Sequence, residues 1–220
     1  MPKTKPFDEH FKLYEEWFET NKYLYETELK ALKHFIPSSG KGLEIGIGSG
    51  IFANPLGIKE GIEPSKEMRR LAIKKGLTVY DGIAEKLPVK DNSYDFVLMN
   101  TIICFVDNVK KSFLEAKRIL KKNGILIIGF IDKESQLGQN YLKHKNESLF
   151  YKEAIFYSTK EVLSLLNETW GEGKIEIIQT VFGNMNEINS IQDFENGFGK
   201  GNFIVIKIKL NFQSLTQIKQ

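Results

Sequence analysis

The chain contains 220 residues, enough for one well-buried domain and too few for two ordinary ones. Its hydrophobic share of 41% and charged share of 27% are typical of a soluble globular protein, and a net charge of +3 from scattered lysines argues against a nucleic-acid binder. The single cysteine, Cys104, excludes an internal disulfide and a cysteine cluster for zinc, and it fits a reducing, cytoplasmic location.

Two helices are predicted at the start of the chain, because apolar residues recur there at helical spacing. The two stripes are Phe7, Phe11, Tyr14 and Phe18, then Tyr25, Leu29, Leu32 and Ile36. Pro37 stops the second helix. The charged N-terminus lacks the apolar core of a signal peptide, and no apolar run reaches the length of a membrane span. We therefore expect residues 1–38 to form a helical cap and expect no stable membrane insertion.

Strands and helices alternate between residues 39 and 131. Strands are predicted at 41–47, 58–63, 77–81, 94–100 and 125–131. The predicted helices are a short piece at 52–56, one capped by Ser65 that runs to about Lys75, and one capped by Asp107 and ended by Gly124. This alternation predicts a doubly wound parallel sheet.

The alternation breaks after residue 131. Residues 132–157 are polar and aromatic and have no clear period. Ser158 and Glu161 form a capping box that opens a helix through Trp170. Two last strands are predicted at 174–182 and 203–210, joined by a long loop. No domain boundary is visible, so we expect a single domain over 1–220.

The end of the first strand carries the most specific motif, an acid followed by glycines at alternate positions. Glu44 is followed by Gly46, Gly48 and Gly50, and glycine permits a tight turn of backbone against a ligand. A dinucleotide loop would need its third glycine at the position of Ile51. An anion beside the loop would repel a pyrophosphate and attract an ammonium group. The motif therefore predicts a nucleoside that carries an amino acid.

This E-x-G-x-G-x-G pattern resembles motif I of the class I S-adenosylmethionine-dependent methyltransferases. The resemblance implies an α/β, Rossmann-like, doubly wound fold with a mostly parallel seven-stranded sheet, an antiparallel last strand and an N-terminal helical cap. It implies S-adenosyl-L-methionine as the cofactor and S-adenosyl-L-homocysteine as the product. Residues 39–131 would then form the cofactor-binding half, and residues 132–220 the acceptor-side half.

Later segments extend the resemblance over residues 40–131. Glu63 ends the second strand, 19 residues after Glu44, where a carboxylate can accept hydrogen bonds from both ribose hydroxyls. The segment 81–88 is similar to the family's G-D-A-E-x-L-P stretch, with Ile83 at the usual aspartate position. The segments 93–100 and 118–126 resemble the family's F-D-x-V strand and its R-x-L-K-P-G-G-x-L signature.

The family resemblance implies cofactor contacts at the following positions. They are Glu44, Gly46, Ile47, Gly48 and Gly50; Glu63, Pro64, Ser65 and Met68; Gly82, Ile83, Ala84 and Glu85; and Asn100, Thr101 and Ile102, the last three along the methionine part. Two residues of the aromatic cap, Tyr14 and Tyr23, are candidates to close over the sulfonium, because an aromatic face attracts a cation.

The sequence says less about the methyl acceptor than about the cofactor. Nucleic-acid amino-methyltransferases carry N/D-P-P-Y/F after strand four, where this chain has Asn100-Thr101-Ile102-Ile103. We therefore expect a small-molecule acceptor, no nucleic acid and no metal, in a monomer or homodimer. Three functions stay open: methyl transfer to a small-molecule nitrogen, oxygen or carbon; C-methylation of a lipid-tailed quinone precursor, since 81–100 is similar to the ubiquinone and menaquinone-type methyltransferases; and non-catalytic cofactor binding. No residue is identified as a catalytic base.

Overall fold

The computed structural model describes residues 3–210. The helices are α1 (Lys5–Glu9), α2 (Phe11–Thr20), α3 (Lys22–Phe35), α4 (Lys66–Lys74), α5 (Val109–Ile119), α6 (Gln136–Lys143) and α7 (Thr159–Trp170), with short 3-10 turns at Lys145–Glu147 and Met185–Glu187. The strands are β1 (Gly42–Ile45), β2 (Glu60–Ile62), β3 (Thr78–Tyr80), β4 (Tyr94–Asn100), β5 (Leu120–Ile131), β6 (Gly173–Thr180), β7 (Glu195–Asn196) and β8 (Phe203–Leu210).

The strands form one sheet in the order β3-β2-β1-β4-β5-β8-β6-β7. Strands β1 to β5 pair in parallel, whereas β8 runs antiparallel between β5 and β6, which confirms the predicted antiparallel last strand. The sheet has one strand more than the predicted seven, because two residues of the long loop pair with β6 at its edge. The order reverses between β1 and β4, and open α/β sheets bind ligands at such a switch point.

Apolar layers cover both faces of the sheet. On one face, α5 and α7 pack through residues such as Phe113, Leu166 and Trp170. On the other face, α3 and α4 pack through residues such as Leu32 and Ala72. Strand β4 and residues 124–131 of β5 are buried almost throughout, as central parallel strands should be, whereas residues 121–123 at the start of β5 are exposed. The doubly wound, Rossmann-like prediction is confirmed.

The buried face of α3 differs from the predicted stripe by about one residue. Leu24, Thr27, Glu28, Ala31, Leu32 and Phe35 are buried, whereas Tyr25, Leu29 and Ile36 are only half-buried. The helix is rotated because its inner face packs against β5, β6 and β8. This rotation carries the acid Glu28 to the interior.

Two predicted helix ends and one predicted short helix were wrong. Helix α5 is capped by Asn108, not Asp107, because the Asn108 side chain accepts the amide of Lys111 at 2.9 Å. The helix ends at Ile119 and not at Gly124, because Leu120 already pairs with β4. Residues 51–57 form turns instead of the helix predicted at 52–56.

Other local predictions were confirmed. The Ser65 side chain caps α4, and Ser158 with Glu161 forms the reciprocal capping box of α7.

The segment 132–157 contains helix α6, which was not predicted from the sequence. Its eight residues bury only Leu137 and Gly138, so they give no periodic apolar signal.

Candidate functional site

The glycine loop after β1 forms the floor of the site. The amides of Gly46 and Ile47 both donate to the carbonyl of Ile62, at 2.8 and 3.1 Å, so the loop lies against the end of β2. Gly46 has a φ of 72°, and a Cβ added there would be 2.2 Å from the Cδ1 atom of Ile102. The loop therefore needs glycine at 46 both for its backbone conformation and for its contact with the end of β4.

Glu63 links this loop to the turn after β2. One carboxylate oxygen accepts the amide of Gly48 at 2.9 Å, and the other accepts the amide of Ser65 at 2.8 Å. The side chain is buried, and burial raises the pKa of Glu63 to about 7, although these two hydrogen bonds act to lower it. Each carboxylate oxygen has a further lone pair, so the group can still accept hydroxyl donors from a ligand.

Glu44 is a buried carboxyl with an unsatisfied oxygen. The residue is 2% exposed, and its Oε2 atom has no hydrogen-bond partner among the residues that the structure describes. Burial raises the pKa of Glu44 well above its ordinary value, and the charge of Glu63 adds to the shift. An orphaned carboxyl oxygen of this kind at a cavity wall fits a ligand that brings a cationic donor.

The segment after β3 forms the next part of the wall. Gly82, Ile83, Ala84 and Glu85 line the cavity. Glu85 accepts the amides of Asp107 and Asn108 at 2.7 and 3.0 Å through Oε1, so it also holds the start of α5 in place.

The end of β4 has a strained backbone. Thr101 has a φ of 55°, which is rare for a β-branched residue, and its amide donates to the carbonyl of Gly129 at 2.8 Å. Such conformations cost about 1–3 kcal/mol and cluster at ligand sites. Asn100, Thr101 and Ile102 all line the cavity.

Acidic side chains of the two N-terminal helices accept hydrogen bonds from residues of the site. Asp8 of α1 accepts the hydroxyl of Ser65 at 2.7 Å and the amide of Glu67 at 3.1 Å. Glu15 of α2 accepts the hydroxyl of Ser49 at 2.6 Å. The Tyr14 hydroxyl lies 3.5 Å from the position that a Cβ on Gly48 would take. The cap therefore lies directly over the glycine loop.

A single cavity of about 390 Å³ is bounded by these elements and continues toward the ends of β4 and β5. Fifteen of the eighteen predicted positions line it. The three exceptions are Gly50, Ser65 and Tyr23. Gly50 faces Leu77, Ser65 is buried as the cap of α4, and Tyr23 is 46% exposed on α3.

Sequence reasoning missed several residues that line the far part of the cavity. Phe105, Tyr141, Phe150 and Tyr151 lie in or near segments without clear periodicity, so nothing in the sequence indicated which way they point. Glu28 also lines the cavity. A signal for it existed, since Leu24, Glu28 and Leu32 are spaced by four residues on one helix, but an acid in an amphipathic helix is usually solvated.

Known proteins share the fold of this chain. Residues 43–128 match a methyltransferase-domain family. A crystal structure from Thermotoga maritima, described as a SAM-dependent methyltransferase and possible histamine N-methyltransferase, is 44% identical with a TM-score of 0.91, over 94% of this chain and 100% of that one. The chain belongs to the S-adenosylmethionine-dependent methyltransferases.

Two further relatives extend the comparison. An uncharacterized protein of Methanocaldococcus jannaschii is 44% identical over 200 residues, which is 91% of this chain and 96% of that protein. A SAM-dependent methyltransferase from Aquifex aeolicus has a TM-score of 0.60 at 20% identity, over 84% of this chain and 92% of that one, and so supports the fold alone.

The cofactor of these methyltransferases, S-adenosylmethionine, carries an ammonium group, two ribose hydroxyls and an adenine. The orphaned oxygen of Glu44, the free lone pairs of Glu63 and the apolar Ile83 fit these groups in chemical type. Between residues 3 and 210, no helix is long and apolar enough to cross a membrane. The same part of the chain holds no cluster of three or more potential metal ligands.

Proposed function

We propose that this methyltransferase transfers the methyl group to a small molecule that is enclosed beneath the cap. The observation that carries the proposal is the extent of the cavity. Besides the groups that fit the cofactor, its lining includes aromatic side chains from the cap and from residues after 131. They are Phe7, Trp17, Tyr141, Phe150 and Tyr151, and we call the part of the cavity that they line the aromatic compartment.

In this proposal, one half of the domain binds the cofactor and the other half binds the acceptor. Residues 39–131 bind the cofactor, with Glu63 on the ribose, Glu44 on the amino group, Gly82 to Glu85 around the adenine, and Asn100 to Ile102 along the methionine. Residues 132–220 and the cap, 1–38, bind the acceptor. Tyr14 stands between these two parts of the cavity, because it lies over Gly48 and also contacts Phe150 at a centroid distance of 6.0 Å.

S-adenosylmethionine supplies a methyl carbon bonded to a positively charged sulfur. The chain's own contribution is to align the acceptor and keep water away from it, which can supply roughly 7–11 kcal/mol of a barrier. The aromatic compartment is suited to this work. Phe7 packs edge-on against Phe105 at 5.3 Å, and Tyr141 stacks on Tyr151 at 4.9 Å, so the walls are rigid and largely apolar.

A nucleic-acid acceptor fits this arrangement poorly. Asp8 and Glu15 hold the cap against Ser65 and Ser49, and Phe7 and Trp17 of the cap form part of the compartment wall, which leaves little room for a polymer. The net charge of +3 is also small for a protein that binds a polyanion.

The proposal is tested by incubating the protein with S-adenosylmethionine and a panel of small amines, alcohols, phenols and quinones, and by measuring S-adenosylhomocysteine. The Thermotoga relative's description as a possible histamine N-methyltransferase places histamine in the panel. We expect product to form with at least one small compound. Methylation of RNA, DNA or protein but of no small compound would contradict the proposal.

Replacement of Glu63 by alanine should weaken S-adenosylhomocysteine binding by about 10- to 100-fold, because charge-assisted hydrogen bonds to the ribose are lost. Isothermal titration calorimetry measures the change. Asp81→Ala is the matched control, since this acid ends the next strand but pairs with Arg69 at 3.0 Å. An unchanged dissociation constant in Glu63→Ala would show that this carboxylate does not contact the cofactor.

A further inference from the structure

Glu28 is a buried acid in the wall of the aromatic compartment. It is 6% exposed and lies on the inner face of α3, between the buried residues Leu24 and Leu32. Across residues 3–210, no side chain or backbone group forms a hydrogen bond or an ion pair with its carboxylate. Its oxygens are not among the fully enclosed unpartnered atoms, so the carboxyl group faces the cavity.

A carboxyl group in this position is unfavourable for the empty protein. Burial raises the pKa of Glu28 to about 8, and no positive side chain contributes to offset that shift. An apolar side chain such as leucine would not carry this cost. A buried acid that the fold does not need is a candidate for ligand recognition.

Three tyrosines from other segments line the same cavity as Glu28. They are Tyr14 of α2, Tyr141 of α6 and Tyr151 of the following loop; burial raises the pKa of each hydroxyl, and the negative charge of Glu28 adds to the shift. None of these groups is a cation. Aromatic rings therefore line the same cavity as this carboxylate, and their faces also attract positive charge.

The charges of the cofactor do not account for Glu28. S-adenosylmethionine carries a sulfonium, an ammonium and a carboxylate, and Glu44 and Glu63 already lie at the glycine loop, where they fit its amino group and its ribose. Glu28 lies on α3, which packs against β5, β6 and β8 and also touches the end of the loop through Tyr25, and the charge of Glu28 acts on Tyr141 of α6 on the acceptor side. Among the described residues that line the cavity, Lys3 is the one cation, and its charge acts on Cys104 and not on Glu28, so no positive side chain balances this acid.

We infer that Glu28 is the specificity-determining residue for the acceptor and that it binds a positively charged nitrogen of a small amine with a flat or aromatic body. This inference rests on the proposed function, because it assigns the aromatic compartment to the acceptor. The tyrosine rings hold the body of the amine, and the carboxylate of Glu28 pairs with its charged nitrogen. Neutral molecules of the same shape lack the partner that the buried acid requires.

The test compares 2-phenylethylamine with its neutral counterpart, 2-phenylethanol, on the protein saturated with S-adenosylhomocysteine. Calorimetry at about pH 8.5 keeps both the carboxylate and the amine charged. The variants are Glu28→Gln, which removes the charge but keeps the shape, and Glu28→Asp, which keeps the charge. Glu26→Gln is the matched control, since Glu26 lies on the same helix but pairs with Lys22 at 3.8 Å.

We expect the wild type and Glu26→Gln to bind the amine about 10- to 100-fold more tightly than the alcohol. Glu28→Gln should lose this preference and Glu28→Asp should keep part of it, while all four proteins bind S-adenosylhomocysteine alike. The inference would be overturned if the wild type bound the two probes equally or bound neither of them. It would also be overturned if Glu28→Gln kept the preference for the amine. A loss of S-adenosylhomocysteine binding in Glu28→Gln would overturn it as well, because Glu28 would then belong to the cofactor.

The two proposals can fail separately. If a neutral or anionic small molecule is methylated at the same rate by the wild type and Glu28→Gln, the proposed function stands and the role of Glu28 falls. If only macromolecules are methylated, the proposed function itself falls.

Discussion

Replacement of Gly46 by alanine should destabilise the protein by about 2–5 kcal/mol. The left-handed backbone at this residue costs about 1–2 kcal/mol once a Cβ is present. The added Cβ also meets Ile102, which approaches to 2.2 Å at Cδ1 and to 3.1 Å even at its own Cβ, and overpacking of this kind costs about 1–3 kcal/mol. Since Ile102 lines the cavity, its displacement should also weaken S-adenosylhomocysteine binding at least about tenfold.

The control for this prediction is Gly57→Ala. Gly57 has a similar φ of 75°, but a Cβ there would meet nothing within 4 Å. It should lose only the backbone contribution, about 1–2 kcal/mol, and should bind the ligand normally. Urea denaturation and calorimetry measure both properties. Equal losses of stability in the two variants would show that the contact between Gly46 and Ile102 has no energetic importance.

The ligand-free protein should lose stability as the pH rises from about 5 to about 8. Burial raises the pKa of Glu28 to about 8, of Glu63 to about 7, and of Glu44 well above its ordinary value. A carboxyl whose pKa is raised by folding stabilises the fold fully below its unfolded pKa, near 4.3, and this contribution is lost as the pH rises through its folded pKa. Each such group gives a slope of up to about 1.4 kcal/mol per pH unit.

The carboxyls whose pKa is lowered by folding, such as Asp95 and Glu115, act in the opposite direction but only at more acidic pH. Urea denaturation of the ligand-free protein at several pH values between 5 and 8 measures the slope. Glu28→Gln should make the slope shallower by removing one group, whereas Glu26→Gln should not change it. A free energy of unfolding that is constant or rises over this range would contradict the proposed burial of the three acids.

The cofactor half of the site could be predicted from the sequence because its residues are close together along the chain and are held by backbone geometry. Glu44, Gly46 and Gly48 follow one strand, and Glu63 follows the next. Parallel strands bring such ends to one edge of the sheet. Tyr23 was misplaced for the opposite reason. Its spacing does not determine which face of α3 it occupies, and that face was set by packing against distant strands.

The acceptor half could not be predicted in the same way. Glu28 reaches the cavity only because α3 is rotated by its packing on β5, β6 and β8. Tyr141 and Tyr151 reach it through a short helix and loops that have no periodic signal. The similarity to quinone methyltransferases, the cytoplasmic location and the oligomeric state stay predictions.

The measurement that tests the account most directly is a calorimetric titration of the protein with S-adenosylhomocysteine and, separately, with NAD. The acid at 44, the glycines at 46, 48 and 50, and the isoleucine at 51 favour a nucleoside that carries an amino acid over a dinucleotide. We predict saturable binding of one S-adenosylhomocysteine per chain and no binding of NAD. Binding of NAD without binding of S-adenosylhomocysteine would contradict the assignment of the cavity.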